Sequence, residues 1–508
     1  MDPPTTTKSH RISFLTDLEG DKSYLERFVE QSEVLQWKQD DENQRKIIDF
    51  QRPHVDHFVF GGDVWDQGGH DLYCLEQLTS FRQRYPDHVH SVLGNRDVNK
   101  MRLYAELDVG KYPPLPWREQ VGPPTNATKA ERLQWILQNT MGSPRAFGYR
   151  KMELTERANN SEEVHDDDVV ASYQSTCHPQ TGALIDHIAH SQLLLRMGQV
   201  AFLHGALPLE FLASNNCTSS ESSWNDLTVL MPWLPAGQTA RDVGVTSVDT
   251  WIEAVNDFAT REVDKFRKHG QDSVWASVGG YHHTYGGLIQ YGMGFLPQRN
   301  VTDDGRYSLQ PNPTIVYNRW GSKNTRDDET PRQFWNPQHT ELLRDFFRRT
   351  DLRVLCTGHQ PTGDMPQTIR IDMGDTEPPC WILSCDTSYS GDTIVVGEEV
   401  DDDDSSASSS SSLSARGTGA VSELILEQCN EKLVDVYFHG TLRNAQTYTS
   451  MSLLDDTAPS KFGVVGCLTD MDADIDSGGK WWVQAALHDG SFALAAAKGF
   501  DFWRKMVR

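Results

Sequence analysis

"FVFGGDVWDQGGHD", residues 58–71, sets two adjacent glycines, Gly61 and Gly62, directly after an apolar run and follows them with Asp63 and Asp66. Glycine weakens a strand, so a pair there marks a sharp turn or a close approach to the backbone. An acid on such a turn suits a small, charged ligand.

The same grammar recurs along the chain. "RISFLTDLEGD" runs into Asp17 and Glu19, and "HVHSVLGNRD" into Asn95, Arg96 and Asp97. "GQVAFLHGALP" ends on His204, "DLRVLCTGHQP" on His359 and "CWILSCDTSYS" on Asp386. Each is a short buried-type strand that stops at a metal-competent or polar side chain. Helical stretches lie between several of them, "DKSYLERFVEQSEVLQW" and "DLYCLEQLTSFRQRY" among them. Alternating strands and helices predict an α/β fold with its ligand site just beyond the strand ends.

Composition narrows the classes. The chain has 508 residues, 37% hydrophobic, with 47 basic and 72 acidic residues and a net charge of -25. Such an acidic balance argues against nonspecific binding to duplex nucleic acid or an anionic membrane. No apolar run is long enough to span a bilayer, and "MDPPTTTKSH" lacks the basic and apolar regions of a signal peptide. The eight cysteines are scattered without a C-x-x-C pair, the pattern of reduced thiols, so a cytoplasmic location is expected.

Asp17, Glu19, Asp63, Asn95, His204 and His359 together offer enough oxygen and imidazole donors for two divalent cations sharing one carboxylate. Asp63, flanked by glycine, is the natural bridge. Two such ions clamp a phosphoryl group for in-line displacement.

These motifs, in this order, resemble the calcineurin-like metallophosphoesterase superfamily, whose pattern is D-x-H, G-D-x-x-D, G-N-H-D/E, H and G-H-x-H. Here they read "DLE", "GDVWD", "GNRD", "HG" and "GHQP", between residues 17 and 361. "HGALP" and "GHQP" look more like the protein-phosphatase and diadenosine-tetraphosphatase branches. The resemblance implies a four-layer α/β/β/α sandwich with large insertions. It implies one ion on Asp17, Glu19 and Asp63 and a second on Asp63, Asn95, His204 and His359. It also implies hydrolysis of a phosphomonoester, on a protein or a small molecule, by a metal-bridging hydroxide. A nucleotide polyphosphate hydrolase and a pseudophosphatase that binds phosphorylated partners without turnover are the alternatives.

Two positions depart from the pattern. Glu19 stands where the family has histidine, which favours Mn²⁺ or Mg²⁺ over Zn²⁺ or Fe. Arg96 stands where the family has its general-acid histidine. Arginine does not donate a proton at working pH, but it grips phosphate oxygens. Arg96 is therefore expected to clamp the phosphate, since Gln67 replaces an arginine of the phosphatase branch, and Asp97 to orient Arg96. His282 and His283 are candidate proton donors, and Asp66 a loop-structuring acid.

The expected organisation is a catalytic domain over residues 8–398, with insertions at about 100–195 and 209–345 that roof the site. An Asp/Ser-rich disordered segment is expected at 399–419. Strands in 420–508 either complete the sheet or form a small module, closing on a hairpin and a short helix. "LTDMDADIDSGG" fails the EF-hand template and reads as an acidic loop.

Overall fold

The computed structural model describes residues 9–40, 45–108, 126–159, 163–207, 244–278, 281–293, 314–321, 335, 339–387, 393–395, 419–455, 462–473, 480–498 and 501–508. Tyr389 and residues 399–418 of the Asp/Ser-rich stretch lie outside them, as do the side chains of His282 and His283.

Two sheets face each other. The first runs in the order Thr447–Thr449, Lys432–Thr441, Val421–Cys429, Ser9–Leu15, His57–Phe60, Val89–Ser91. The second runs Gln367–Ile371, Cys380–Asp386, Val354–Pro361, Val200–Leu203, Leu194–Met197. Each contains a parallel triplet: Ser9–Leu15, His57–Phe60 and Val89–Ser91 in one, Val200–Leu203, Val354–Pro361 and Cys380–Asp386 in the other.

Side chains alternate across each strand, which makes the layers. Ile12, Phe14 and Val59 of the first sheet pack inward with Val200, Phe202, Val354 and Cys356 of the second. The rings of Phe14 and Phe202 lie 5.4 Å apart across that interface. Phe58, Phe60, Ala201 and Leu355, one residue out of phase, belong to the outer packing against helices. Phe28 of helix Lys22–Gln31 and Phe81 of helix Asp71–Arg84 both meet Phe58. Helices Val248–His269 and Thr340–Thr350 join the same outer packing as Ala201 and Leu355, with Trp251 and Phe346 in contact. The result is a four-layer α/β/β/α sandwich with both parallel triplets covered on two faces, as parallel strands require.

Local sequence explains the helix ends. Asp21 caps helix Lys22–Gln31 by accepting from the Tyr24 amide at 2.8 Å. Thr128 and Glu131 form a capping box on helix Lys129–Thr140.

Three expectations are corrected. The first predicted helix stops at Gln31, and Leu35–Gln39 instead pairs antiparallel with Lys46–Phe50. The closing segment forms no short helix: Phe492–Lys498 and Asp501–Val507 are paired strands of a third sheet. Its alanines favour helix in isolation, but pairing with Lys480–Ala486 overrides that weak preference. Leu468–Asp472, read as acidic loop, is a strand of the same sheet.

The C-terminal strand Val421–Cys429 sits inside the first sheet, between Ser9–Leu15 and Lys432–Thr441. Buried Glu423 on it accepts from Ser13 Oγ and Ser32 Oγ, both at 2.5 Å, and from the Glu33 amide at 2.8 Å. Its carboxylate also lies 2.9 Å from His439 Nε2. No helix among the described residues is long and apolar enough to cross a membrane.

Candidate metal centre

The carboxyl ends of both parallel triplets point to one place. Asp17 and Glu19 follow strand Ser9–Leu15, Asp63 follows His57–Phe60, and Asn95 follows Val89–Ser91. His204 follows Val200–Leu203, and His359 lies near the end of Val354–Pro361. The loops are stitched to one another. Asp17 N donates to Gly62 O at 3.0 Å, Glu19 N to Asp63 O at 2.8 Å, and Gly358 N to His204 O at 2.8 Å.

Four of the six expected ligand residues hold left-handed backbone: Asp17 (φ 53°), Glu19 (46°), Asp63 (58°) and His359 (60°). Each such non-glycine residue costs on the order of 1–3 kcal/mol and persists at functional sites where surrounding contacts impose it. The glycines of the opening stretch allow the crowding. Gly62 has φ +95°, and a Cβ there would meet the Gly94 amide at 2.5 Å and His204 Nδ1 at 2.9 Å.

His204 is buried, its Nδ1 2.8 Å from Gly61 O. Donation to that carbonyl turns Nε2 toward Asp63 Oδ2 at 3.3 Å and Asn95 Oδ1 at 3.1 Å. A backbone partner that fixes the imidazole this way is the usual support of a metal-binding histidine. Burial opposes charge on this ring, but the Asp63 and Asp17 carboxylates outweigh it and raise its pKa to about 10. In the metal-free chain a proton on Nε2 thus stands where a cation would. His359 differs: burial, with Arg319, His204 and Arg96 nearby, holds it well below the usual histidine range. Its Nε2 is buried without a hydrogen-bond partner among the described residues. Asp63, His204 and His359 bring ligand atoms within 4.8 Å of one another. This neutral, orphaned nitrogen with an adjoining carboxylate and imidazole fits a divalent ion.

Asp17, Glu19 and Asp63 also cluster within 4.8 Å. Their oxygens, however, already serve protein donors. Asp17 Oδ2 accepts from Thr16 Oγ1 at 2.7 Å and from the His359 amide at 3.0 Å. Glu19 Oε1 lies 2.8 Å from Arg96 Nε. This trio fits a second ion only if Arg96 releases Glu19.

Arg96, expected as a phosphate clamp, lines the cavity but is engaged by protein acceptors. It also donates from Nη1 to Asp66 Oδ2, Met141 O and Ser143 Oγ, each at 3.2 Å. Asp97 does not orient it. The Asp97 carboxylate accepts instead from the amides of Asp63 (2.9 Å), Val64 (2.8 Å) and Gly94 (3.1 Å), and so shapes the Asp63 loop. Burial and the Asp63 charge raise the Asp97 pKa to about 6 against the Val64 and Gly94 amides. Asp66 is loop-structuring, paired with Lys100 Nζ at 2.6 Å.

A cavity of about 330 Å³ opens over the centre, lined also by Lys100, Tyr317, Arg319 and Asp386. The half-buried Arg319 has no ion-pair partner among the described residues and is the lining cation best placed for an anion. Tyr317, 47% exposed, packs at 4.9 Å on the His359 ring. The sequence reading missed both, because "YNRWG" sits in an insertion without periodicity or motif. It missed Lys100 as well, although that residue lies one helical turn beyond Arg96.

No family model matches this chain, and no curated protein matches it. Among solved structures it is similar to a cold-active protein-tyrosine phosphatase of a psychrophilic Shewanella species, with 10% identity, 86% of this chain and 80% of that chain covered, and a TM-score of 0.35. It is similar to a Saccharomyces cerevisiae protein serine/threonine phosphatase at 10% identity, with 76% and 70% covered and a TM-score of 0.29. A metallophosphoesterase from Sphaerobacter thermophilus matches at 11% identity, with 82% and 84% covered and a TM-score of 0.27. At such identities the chemistry of this chain has to be read from its own residues.

Proposed function

We propose that this chain is a metal-dependent phosphoesterase. One observation carries the reading: Asp63, Asn95 and His359, delivered by strands of two sheets, converge with Arg319 on a single cavity, with buried His204 against Asp63 and Asn95 behind it. Asp63, Asn95, His204 and His359 would hold a divalent ion, which would supply Lewis-acid chemistry toward phosphoryl oxygens. Arg319 supplies charge for the phosphate and orients it bidentately. His204, held by Gly61 O, keeps its ligand nitrogen aimed. Arg96, at the expected general-acid position, cannot protonate a leaving group. General acid catalysis is typically worth about 10²–10⁴-fold. The preferred substrates are therefore phosphorylated molecules with good leaving groups, such as aryl monoesters or polyphosphate anhydrides, rather than alkyl phosphates.

The test is phosphate release from an aryl phosphate with added Mn²⁺, comparing the native chain with Asp63→Asn. Release that needs both Mn²⁺ and Asp63 supports the reading. The engagement of Arg96 by carboxylates favours a second one, a pseudophosphatase that binds phosphorylated partners without turnover. Metal-loaded protein that binds inorganic phosphate yet releases none from the ester would replace the first with the second.

A further inference from the structure

We propose that the Arg96 guanidinium takes the place of one of two metal ions, so that this chain binds a single divalent ion on Asp63, Asn95, His204 and His359. The inference deepens the phosphoesterase reading and rests on it for the ion's purpose.

The two positions at which the motifs depart from the metallophosphoesterase pattern touch each other: Arg96 Nε lies 2.8 Å from Glu19 Oε1. Asp63 Oδ2 sits between the His204 imidazole and the Arg96 guanidinium, 3.3 Å from His204 Nε2 and 3.6 Å from Arg96 Nε. The imidazole marks the side where an ion fits, and the guanidinium covers the other. Arg96 is also anchored away from Glu19, by Asp66, Met141 O and Ser143 Oγ. Asp66 is in turn locked by buried Lys100. The guanidinium is therefore a fixture of the loop rather than a side chain resting in an open site.

Charge agrees with this count. Asp17, Glu19 and Asp63 bring three negative charges, which one divalent ion and one guanidinium balance. A second ion on Glu19 and Asp63 would have to lie close against Arg96. Arginine keeps its charge under any working condition, so the guanidinium does not yield by losing a proton. What such a centre gives up is a second site for holding water. What it gains is a fixed cation that cannot be chelated or exchanged.

The experiment is a metal count. Chelator-treated full-length chain is saturated with Mn²⁺, freed of excess by gel filtration, and read by elemental analysis and low-temperature electron paramagnetic resonance. One ion per chain with an uncoupled manganese signal is expected. Arg96→Gln is expected to raise the count to two and to produce an exchange-coupled signal, as is the pair Glu19→His with Arg96→His. Glu19→Gln, with Arg96 intact, should still bind one ion, which keeps the test informative if the Arg96 variants fail to fold. Two ions in the native chain, a count of one in folded Arg96→Gln, or loss of the ion in Glu19→Gln would each overturn the inference. No ion in the native chain would sink both this inference and the metal-dependent reading. One ion without phosphate release would uphold the inference while sinking the hydrolase.

Discussion

Asp66 and Lys100 have fully buried side chains and meet at 2.6 Å. Lys100→Met would leave Asp66 with Arg96, at 3.2 Å, as its one remaining cationic partner among the described residues. Breaking one side of a buried pair typically costs about 3–5 kcal/mol. We expect Lys100→Met to lower the thermal midpoint strongly and to weaken Mn²⁺ retention, because Asp66, one of the acceptors that fix Arg96, loses the cation that locks it. Differential scanning calorimetry with a metal titration measures both, and an unchanged midpoint would refute the anchoring role. At this scale the sequence is half transparent. Asp17, Asp63, Asn95, His204 and His359 were legible because each is a chemically distinctive letter at the end of a short apolar run. The partners were not: Glu19 meeting Arg96, or Asp97 holding the Asp63 and Val64 amides, depends on loops from separate strands closing together.

At the level of elements, the parallel strands have a second end. Opposite the candidate metal centre, the strands starting at Ser9, His57 and Val89, with the residue before the last of them, gather His10, His57, His88 and His90. His57 Nδ1 lies 3.3 Å from His90 Nε2, and its ring centroid is 4.6 Å from that of His88 and 5.1 Å from that of His10. Burial, and then the neighbouring histidines, push His57 down to about 3, against the opposing Asp56 charge. Burial lowers His10 and His90 as well. The unfolded chain takes up these protons near pH 6.5 while the folded chain refuses them, so this edge loses stability as pH falls below about 6.5 toward 3. Buried His204 is shifted the opposite way, so the edge must be isolated by comparison. Melting followed by circular dichroism at pH 7.5, 6.5 and 5.5 should fall less steeply for His57→Phe than for the native chain. Equal slopes would exclude the histidine edge as the cause. The strands themselves were readable from apolar runs, but the clustering follows from register, which no single strand encodes.

Across the whole molecule, the seam at Glu423 joins segments 410 residues apart, Ser13 donating to a carboxylate on a C-terminal strand. A chain cut at residue 420 would expose Ser9–Leu15 along its edge and lose the acceptor of Ser13 and Ser32. We expect it to show no cooperative unfolding transition, whereas a sharp one would make the last strands dispensable. The sequence offered this pairing and an accessory module as equals, because strand pattern does not name a partner strand. The insertion, too, reached the site through contacts no motif foretells, such as Met141 O on Arg96. That seam also orders events on the ribosome. A nascent chain displays Ser9–Leu15 long before the strand that covers its free edge, because Ser13 and its partner Glu423 are 410 residues apart. Until then the growing polypeptide carries an open, largely apolar edge able to pair with other chains. The residues of the candidate centre, Asp17 to His359, all precede that covering strand in the chain.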